Sequence, residues 1–353
     1  MLADDDIKNW YELLRVLNIS TEASSGVAGS SSDSQGSPNN LNEHDRIKIL
    51  DWCKKNVKSS LADPDINLLY PLLLKYFQLN EKPSLKAVVN EKMGNTVLHE
   101  AVSSGFDVFI SRALHSSEGM DKESVLSVKN KVGNTALHCS GLVGHVLCTE
   151  VLLDENANPN LFNNSGKLPI HLASIKQDIN GGGTADRILC IRLLLSRTSP
   201  ELLTSKDISG GSLLINLVEF NDLDIIKSVV EKNPEVLYLA DSLGENALHK
   251  AIIRNANNLI DYFAQDNYLL TAITENNSTV LHLACRYADE GVIKKLMDAE
   301  PLQELLWIRD EHGTMAFEYL ENKKHLSPLY LEFQDKLTML SQQSTPNALR
   351  SGV

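Results

Sequence analysis

The sequence predicts an all-α solenoid built from stacked helix–turn–helix units. Three observations lead there. A short octet ending in Leu-His-x-Ala or a close variant returns along the chain; apolar residues between the copies fall at helical spacing; and little of the pattern alternates as a strand would. Of the 353 residues, 42% are hydrophobic and 22% charged, ordinary globular usage rather than that of a disordered or fibrous chain. A single unit of this kind cannot bury its own apolar face, so neighbours must stack to form one continuous core.

Residues 1–42 begin with a segment in which Trp10, Leu13, Leu14 and Leu17 share one helical face. From residue 20 to residue 42 the composition turns to Ser, Gly, Asn and Pro. Too few apolar side chains remain there to offset the entropy of ordering, so the segment reads as a flexible linker. Residues 43–87 hold two more apolar helices, a helical cap or a degenerate first repeat. The array itself is expected over 88–335, with a polar C-terminal tail over 336–353.

Within the array, Gly94-Asn95-Thr96-Val97-Leu98-His99-Glu100-Ala101 sets the pattern. It returns as Gly133 to His138, as Gly166-Lys167-Leu168-Pro169-Ile170-His171-Leu172-Ala173, as Gly244 to Ala251 and as Asn277 to Ala284; degenerate copies start at Gly210 and Gly313. The base spacing is about 33 residues, with longer intervals after the first and third copies. Each position has a physical task. The opening Gly supplies a positive-φ turn. Thr96, Thr135, Asn246 and Thr279 are suited to capping the free N–H groups of a helix. Pro169 sits in a first helical turn, where no donor is needed. The Leu is a core residue, and the closing Ala lets two helices approach.

After His138 come Gly144-His145, Val151-Leu152-Leu153 and Asn156-Ala157-Asn158-Pro159-Asn160. Together with the octets, these segments resemble the ankyrin repeat family. The resemblance implies a rigid scaffold without catalysis of its own, in which variable residues at the turn tips and at the exposed end of each first helix contact a protein partner on the concave face. Carried onto this chain, the partner-binding candidates are Lys92, Met93, Lys131, Val132 and Leu243 at the tips, and Leu142, Val143, Phe220, Ile253, Arg254, Arg286 and Tyr287 at the helix ends. Aligned apolar residues beside Arg and Tyr are what binding hot spots use. The resemblance also implies that His99, His138, His171, His249 and His282 hydrogen-bond between neighbouring turns, one repeat apart and unable to share a metal ion.

Charge and cysteine content narrow the class further. A net charge of −13 argues against nucleic acid and anionic membranes, which need clustered Lys and Arg. Five scattered cysteines make no disulfide framework and point to a reducing compartment, so a cytoplasmic location is expected. No apolar run approaches the roughly 20 residues that span a bilayer. His138, Cys139, His145 and Cys148 lack paired zinc-ligand spacing, and Gly181-Gly182-Gly183-Thr184 lacks the lysine of a phosphate loop. No cofactor or metal is therefore expected, and the chain is read as a monomer that binds another protein. Irregular repeats with insertions and an Asn/Lys/Ile-leaning composition also resemble ankyrin proteins that intracellular bacteria deliver into host cells. The competing class is an enzyme or host-modifying toxin, with a cryptic site in the N-terminal helices or in the 177–205 insertion.

Overall fold

The computed structural model describes residues 85–115, 121–175, 183–321, 323 and 327–343. The expected N-terminal helix and linker, the expected cap apart from residues 85–87, Gly181, Gly182 and the last ten residues lie outside the described residues. Contacts divide the chain into two units, Met1–Asn164 with Ile179–Leu194 and Ser165–Asp178 with Leu195–Val353.

In the first unit a two-stranded antiparallel hairpin, Val88–Asn90 with Asn95–Thr96, leads into the helix pair Val97–Ser103 and Asp107–His115. A short helix, Lys122–Leu126, connects to a second pair, Ala136–Val143 and Val146–Asp154. First helix packs on first helix and second on second, the stacking that the repeat predicts. Leu98, Ala101, Leu137 and Leu152 lie fully inside it. Each such leucine contributes about 1.5–3 kcal/mol by leaving water.

The second unit repeats this scheme over Pro169–Ala173, Leu213–Leu217 with Leu223–Lys232, Ala247–Ile253 with Asn257–Phe263, and Val280–Tyr287 with Glu290–Asp298. The 3₁₀ turn Ala316–Leu320 and the helix Ser327–Gln343 close it, the latter running through the expected boundary between 335 and 336. A feature that the two-helix expectation missed recurs here. After each second helix comes a further short helical turn: Pro200–Thr204, Pro234–Tyr238, Asn267–Thr271 and Glu300–Trp307. Three of them carry proline in the first turn, and Asn233 and Asp266 cap two of them through backbone N–H groups. The residues around Thr198 to Leu203 are therefore part of a recurring turn, and Thr184–Arg197 is a regular helix, so little of 183–205 is inserted loop.

The octet behaves as its chemistry requires. All the octet openers, Asn277 included, have positive φ. Thr96, Thr135, Asn246 and Thr279 are the N-caps of their helices. At Thr135 the hydroxyl accepts from the His138 N–H, while the Thr135 N–H donates to His138 Nδ1 at 3.1 Å. Because Nδ1 accepts that bond, the proton belongs on Nε2. In His99, His171 and His282 the Nε2–H then donates to a carbonyl of the next repeat, at Asn134 (2.8 Å), Ser205 (3.2 Å) and Thr314 (3.1 Å). The histidines bridge repeats, as the resemblance implied. His249 departs from the pattern. Its cap is Asn246, whose Oδ1 lies 2.9 Å from Nδ1, and among the described residues its buried Nε2 has no hydrogen-bond partner.

Candidate functional site

Two kinds of position were expected to meet a partner, and the structure treats them differently. The turn tips are held in file by backbone bonds. In the first unit the Lys131 N–H donates to the Met93 carbonyl (2.9 Å) and the Asn164 N–H to that of Val132 (3.2 Å). In the second unit Ile208 donates to Ser165, Glu275 to Leu243 and Glu311 to Asn276. This ladder satisfies the tip backbone and leaves the side chains facing water. Met93 is 40% exposed, Val132 44%, Ile208 78% and Leu243 51%. Lys92 and Lys131 are exposed beside them.

The helix-end positions divide. In the first unit Leu142 and Val143 are half-buried, and the Leu142 carbonyl accepts from Arg187 at 2.9 Å. In the second unit Ile253 is half-buried while Arg254 is exposed, its guanidinium 2.6 Å from Glu219. Arg286 and Tyr287 are exposed. Phe220 corrects the expectation: it is 8% exposed and belongs to the core. The helix Leu213–Leu217 tightens into the 3₁₀ turn Val218–Phe220 and stops at Asn221 with φ 51°. Three residues per turn instead of 3.6 rotate the phenyl ring inward.

Sequence reasoning overlooked Tyr319. Its hydroxyl donates to the Asp310 carboxylate, and the Arg286 guanidinium lies over its ring, 4.9 Å from the centroid. It also overlooked the exposed aromatics Tyr238, Tyr268 and Trp307 on the recurring short turns. Tyr238 and Tyr268 meet edge to face at 5.3 Å. The recurrence of Pro-Glu-Val-Leu-Tyr at 234 and Glu-Pro-Leu-Gln-Glu-Leu-Leu-Trp at 300 was the available signal.

Titratable groups follow burial. Desolvation lowers the pKa of His99 and His282 and brings His171 and His249 to about 4, against the opposing pull of neighbouring carbonyls and carboxylates. Burial raises the thiols of Cys139 and Cys285 to about 12 and pushes up those of Cys148 and Cys190 as well. Such thiols are protonated and unreactive at neutral pH. Among the described residues no group of three or more His, Cys, Asp or Glu is placed to hold a metal ion, and no helix is long and apolar enough to cross a membrane.

The family model for the ankyrin repeat matches residues 132–164, and the model for three consecutive ankyrin repeats matches 214–304. The nuclear factor NF-kappa-B p110 subunit of Drosophila melanogaster is 27% identical over 238 residues, 63% of this chain and 23% of that protein. The p105 subunit of Gallus gallus is 24% identical over 164 residues, 46% of this chain and 16% of that protein. The chain thus spans under a quarter of the length of these relatives. Among solved structures, the ankyrin repeat domain of human ASB11 is similar with a TM-score of 0.49 and 20% identity, over 67% of this chain and 96% of that one. Octets in register, openers all at positive φ, histidines bridging successive repeats and two matching family models lead to one conclusion: the chain is an ankyrin repeat protein.

Proposed function

We propose that the chain is a non-catalytic scaffold that binds a protein partner through its turn tips and first-helix ends, the concave face of the repeat type. One observation carries the reading. Backbone bonds from Lys131 to Met93, Asn164 to Val132, Ile208 to Ser165 and Glu275 to Leu243 fix these tips, yet the side chains they present include Met93 and Val132 in one unit and Ile208 and Leu243 in the other, all exposed. Packing of the fold does not use these side chains, and an aligned apolar series on a rigid frame is suited to desolvation by a partner. The ankyrin repeat match supports the same reading, since repeats of this family serve generally as interaction scaffolds rather than as enzymes.

A crosslinking pull-down from eukaryotic cell lysate tests it, comparing wild type with a Val132→Glu, Leu243→Glu, Tyr287→Glu triple variant whose helix content is first checked by circular dichroism. The expected result is a partner captured by the wild type and lost by the folded variant. A partner kept by both would remove the tips and helix ends from the interface.

We place this binding in a reducing cytosol, a reading supported by the buried, unpaired Cys139, Cys148, Cys190 and Cys285. A finer form of the proposal is a bacterial effector acting inside a host cell, supported by the irregular repeats and composition. A translocation reporter fused to the chain should enter host cells only from bacteria with a working secretion system; no entry would sink the effector form and leave the scaffold standing.

A further inference from the structure

On the first-helix face of the second unit, three basic side chains stand at successive stations with different surroundings. Lys250 is held by Glu245 and lies 3.3 Å from Asp241. Arg254 is held by Glu219, with contacts of 2.6 and 2.7 Å to one carboxylate oxygen. Arg286 has no carboxylate within ion-pair distance among the described residues. Its guanidinium lies over two aromatic rings instead, 4.9 Å from the Tyr319 centroid and 5.6 Å from that of Tyr287.

The nearby acid is already occupied. Asp310 is buried and accepts from the Tyr319 hydroxyl and from the backbone N–H groups of His312 (2.9 Å) and Thr314 (3.1 Å). It fixes the Tyr319 ring rather than neutralising the arginine. Beneath, the Lys323 ammonium donates to the carbonyls of Cys285 (2.8 Å) and Arg286 (2.9 Å), pinning the end of helix Val280–Tyr287 and adding a second positive charge. Stacking engages the flat faces of a guanidinium and leaves its edge donors pointing outward, in the fork that matches a carboxylate.

We propose that Arg286, held by Tyr287 and Tyr319, is the anchor for a side-chain carboxylate of the partner, presented by a short peptide segment that also carries an apolar residue. The apolar part fits the exposed Tyr287 and the half-buried Ile253, which holds the position matching Arg286 one repeat earlier. A single carboxylate is indicated rather than an acidic run, because the chain's net charge of −13 repels polyanions at long range. Pre-stacking reduces the rotamer entropy that Arg286 would otherwise lose on binding. This inference rests on the scaffold reading above and names the chemistry of one station within it.

The test is selection of short randomised peptides displayed on phage, fused through their C-termini so that only side-chain carboxylates are offered, against the immobilised full chain. Expected are peptides with Asp or Glu at one fixed position. The synthetic, C-terminally amidated winner should bind an Arg286→Met variant about ten- to a hundredfold more weakly, the range of a charge-assisted hydrogen-bonded pair. Replacing the peptide acid by its amide should cause a similar loss, and the two changes together should lose little more than either alone. Lys295→Met, on the second helix Glu290–Asp298, should leave binding unchanged, and circular dichroism confirms that both variants fold. Selected peptides with no acidic position, or losses that simply add, would overturn the anchor and leave the scaffold reading in place. Failure to select any peptide, or peptides indifferent to Leu243→Glu and Tyr287→Glu, would overturn both.

Discussion

Gly133→Ala is expected to lower stability by about 2–4 kcal/mol, read as a fall in the urea midpoint followed by circular dichroism. Gly133 has φ +80°, and a Cβ built there would lie 2.3 Å from Asn164 Oδ1 and 2.5 Å from the Asn164 backbone N. The second contact is with main chain, so no rotamer change relieves it. Relief would require moving Asn164, whose N–H and side chain bind the carbonyls of Val132 and Lys131. The ladder that aligns the tips of the first unit would therefore open at that step. Gly313→Ala provides the comparison. Its φ is +74° but nothing among the described residues lies within 4 Å of the built Cβ, so only the backbone term applies, about 1–2 kcal/mol. Equal losses in the two variants would show that close approach to the next tip contributes nothing.

Acid should weaken the fold well before its carboxylates protonate. Burial, the leading cause in each case, lowers His171 and His249 from 6.5 to about 4; the Ser205 carbonyl and Asp207 oppose it at His171, as does Asp241 at His249. With the folded pKa below the unfolded one, the unfolded chain takes up protons first as pH falls. Stability conferred by the neutral rings is complete above pH 6.5, declines from there to about pH 4, and is constant below. At 1.36 kcal/mol per unit, the two residues together account for about 7 kcal/mol, and His99 and His282 shift in the same direction. Asp207 and Asp310, whose pKa values are lowered by hydrogen bonds that outweigh their burial, lose their contribution only at lower pH, below their ordinary value of 3.8. Thermal melts across the range should show Tm dropping steadily between pH 6.5 and 4.5. A flat Tm over that interval would mean that the histidines protonate in place without cost.

The parts of this molecule legible in its sequence are those fixed within one repeat. Thr135, three residues before His138, writes out both a cap and a ring acceptor, and the structure forms both. Leu248 and Leu281 repeat at the octet's core position and are fully buried. Phe220 was misread because its position was inferred by alignment with longer first helices, whereas Leu213–Leu217 is one turn and a fraction before it tightens. The partnership of Arg286 with Tyr319 was invisible for another reason. It joins a clear repeat to a degenerate one, and only stacking brings the ring under the guanidinium. The short third turns were written in plain letters at Pro234 and Pro301, but a two-helix template had no place for them.

The cations that close helix ends give the stack a direction. Lys323 serves the carbonyls of Cys285 and Arg286, Lys336 serves Met297, and Lys232 serves Leu195; in the first unit Arg187 serves Leu142. In every case the donor comes later in the chain than the helix it closes. These four helices are therefore each closed by a residue of a later element. Shortening the array from its C-terminal side uncovers the carbonyl ends of helices that remain, while shortening it from the other side removes helices together with their own ends. Two fragments of equal length cut from the same unit are for that reason unequal, and the one that retains the later repeats keeps these cation contacts for the helices that have them.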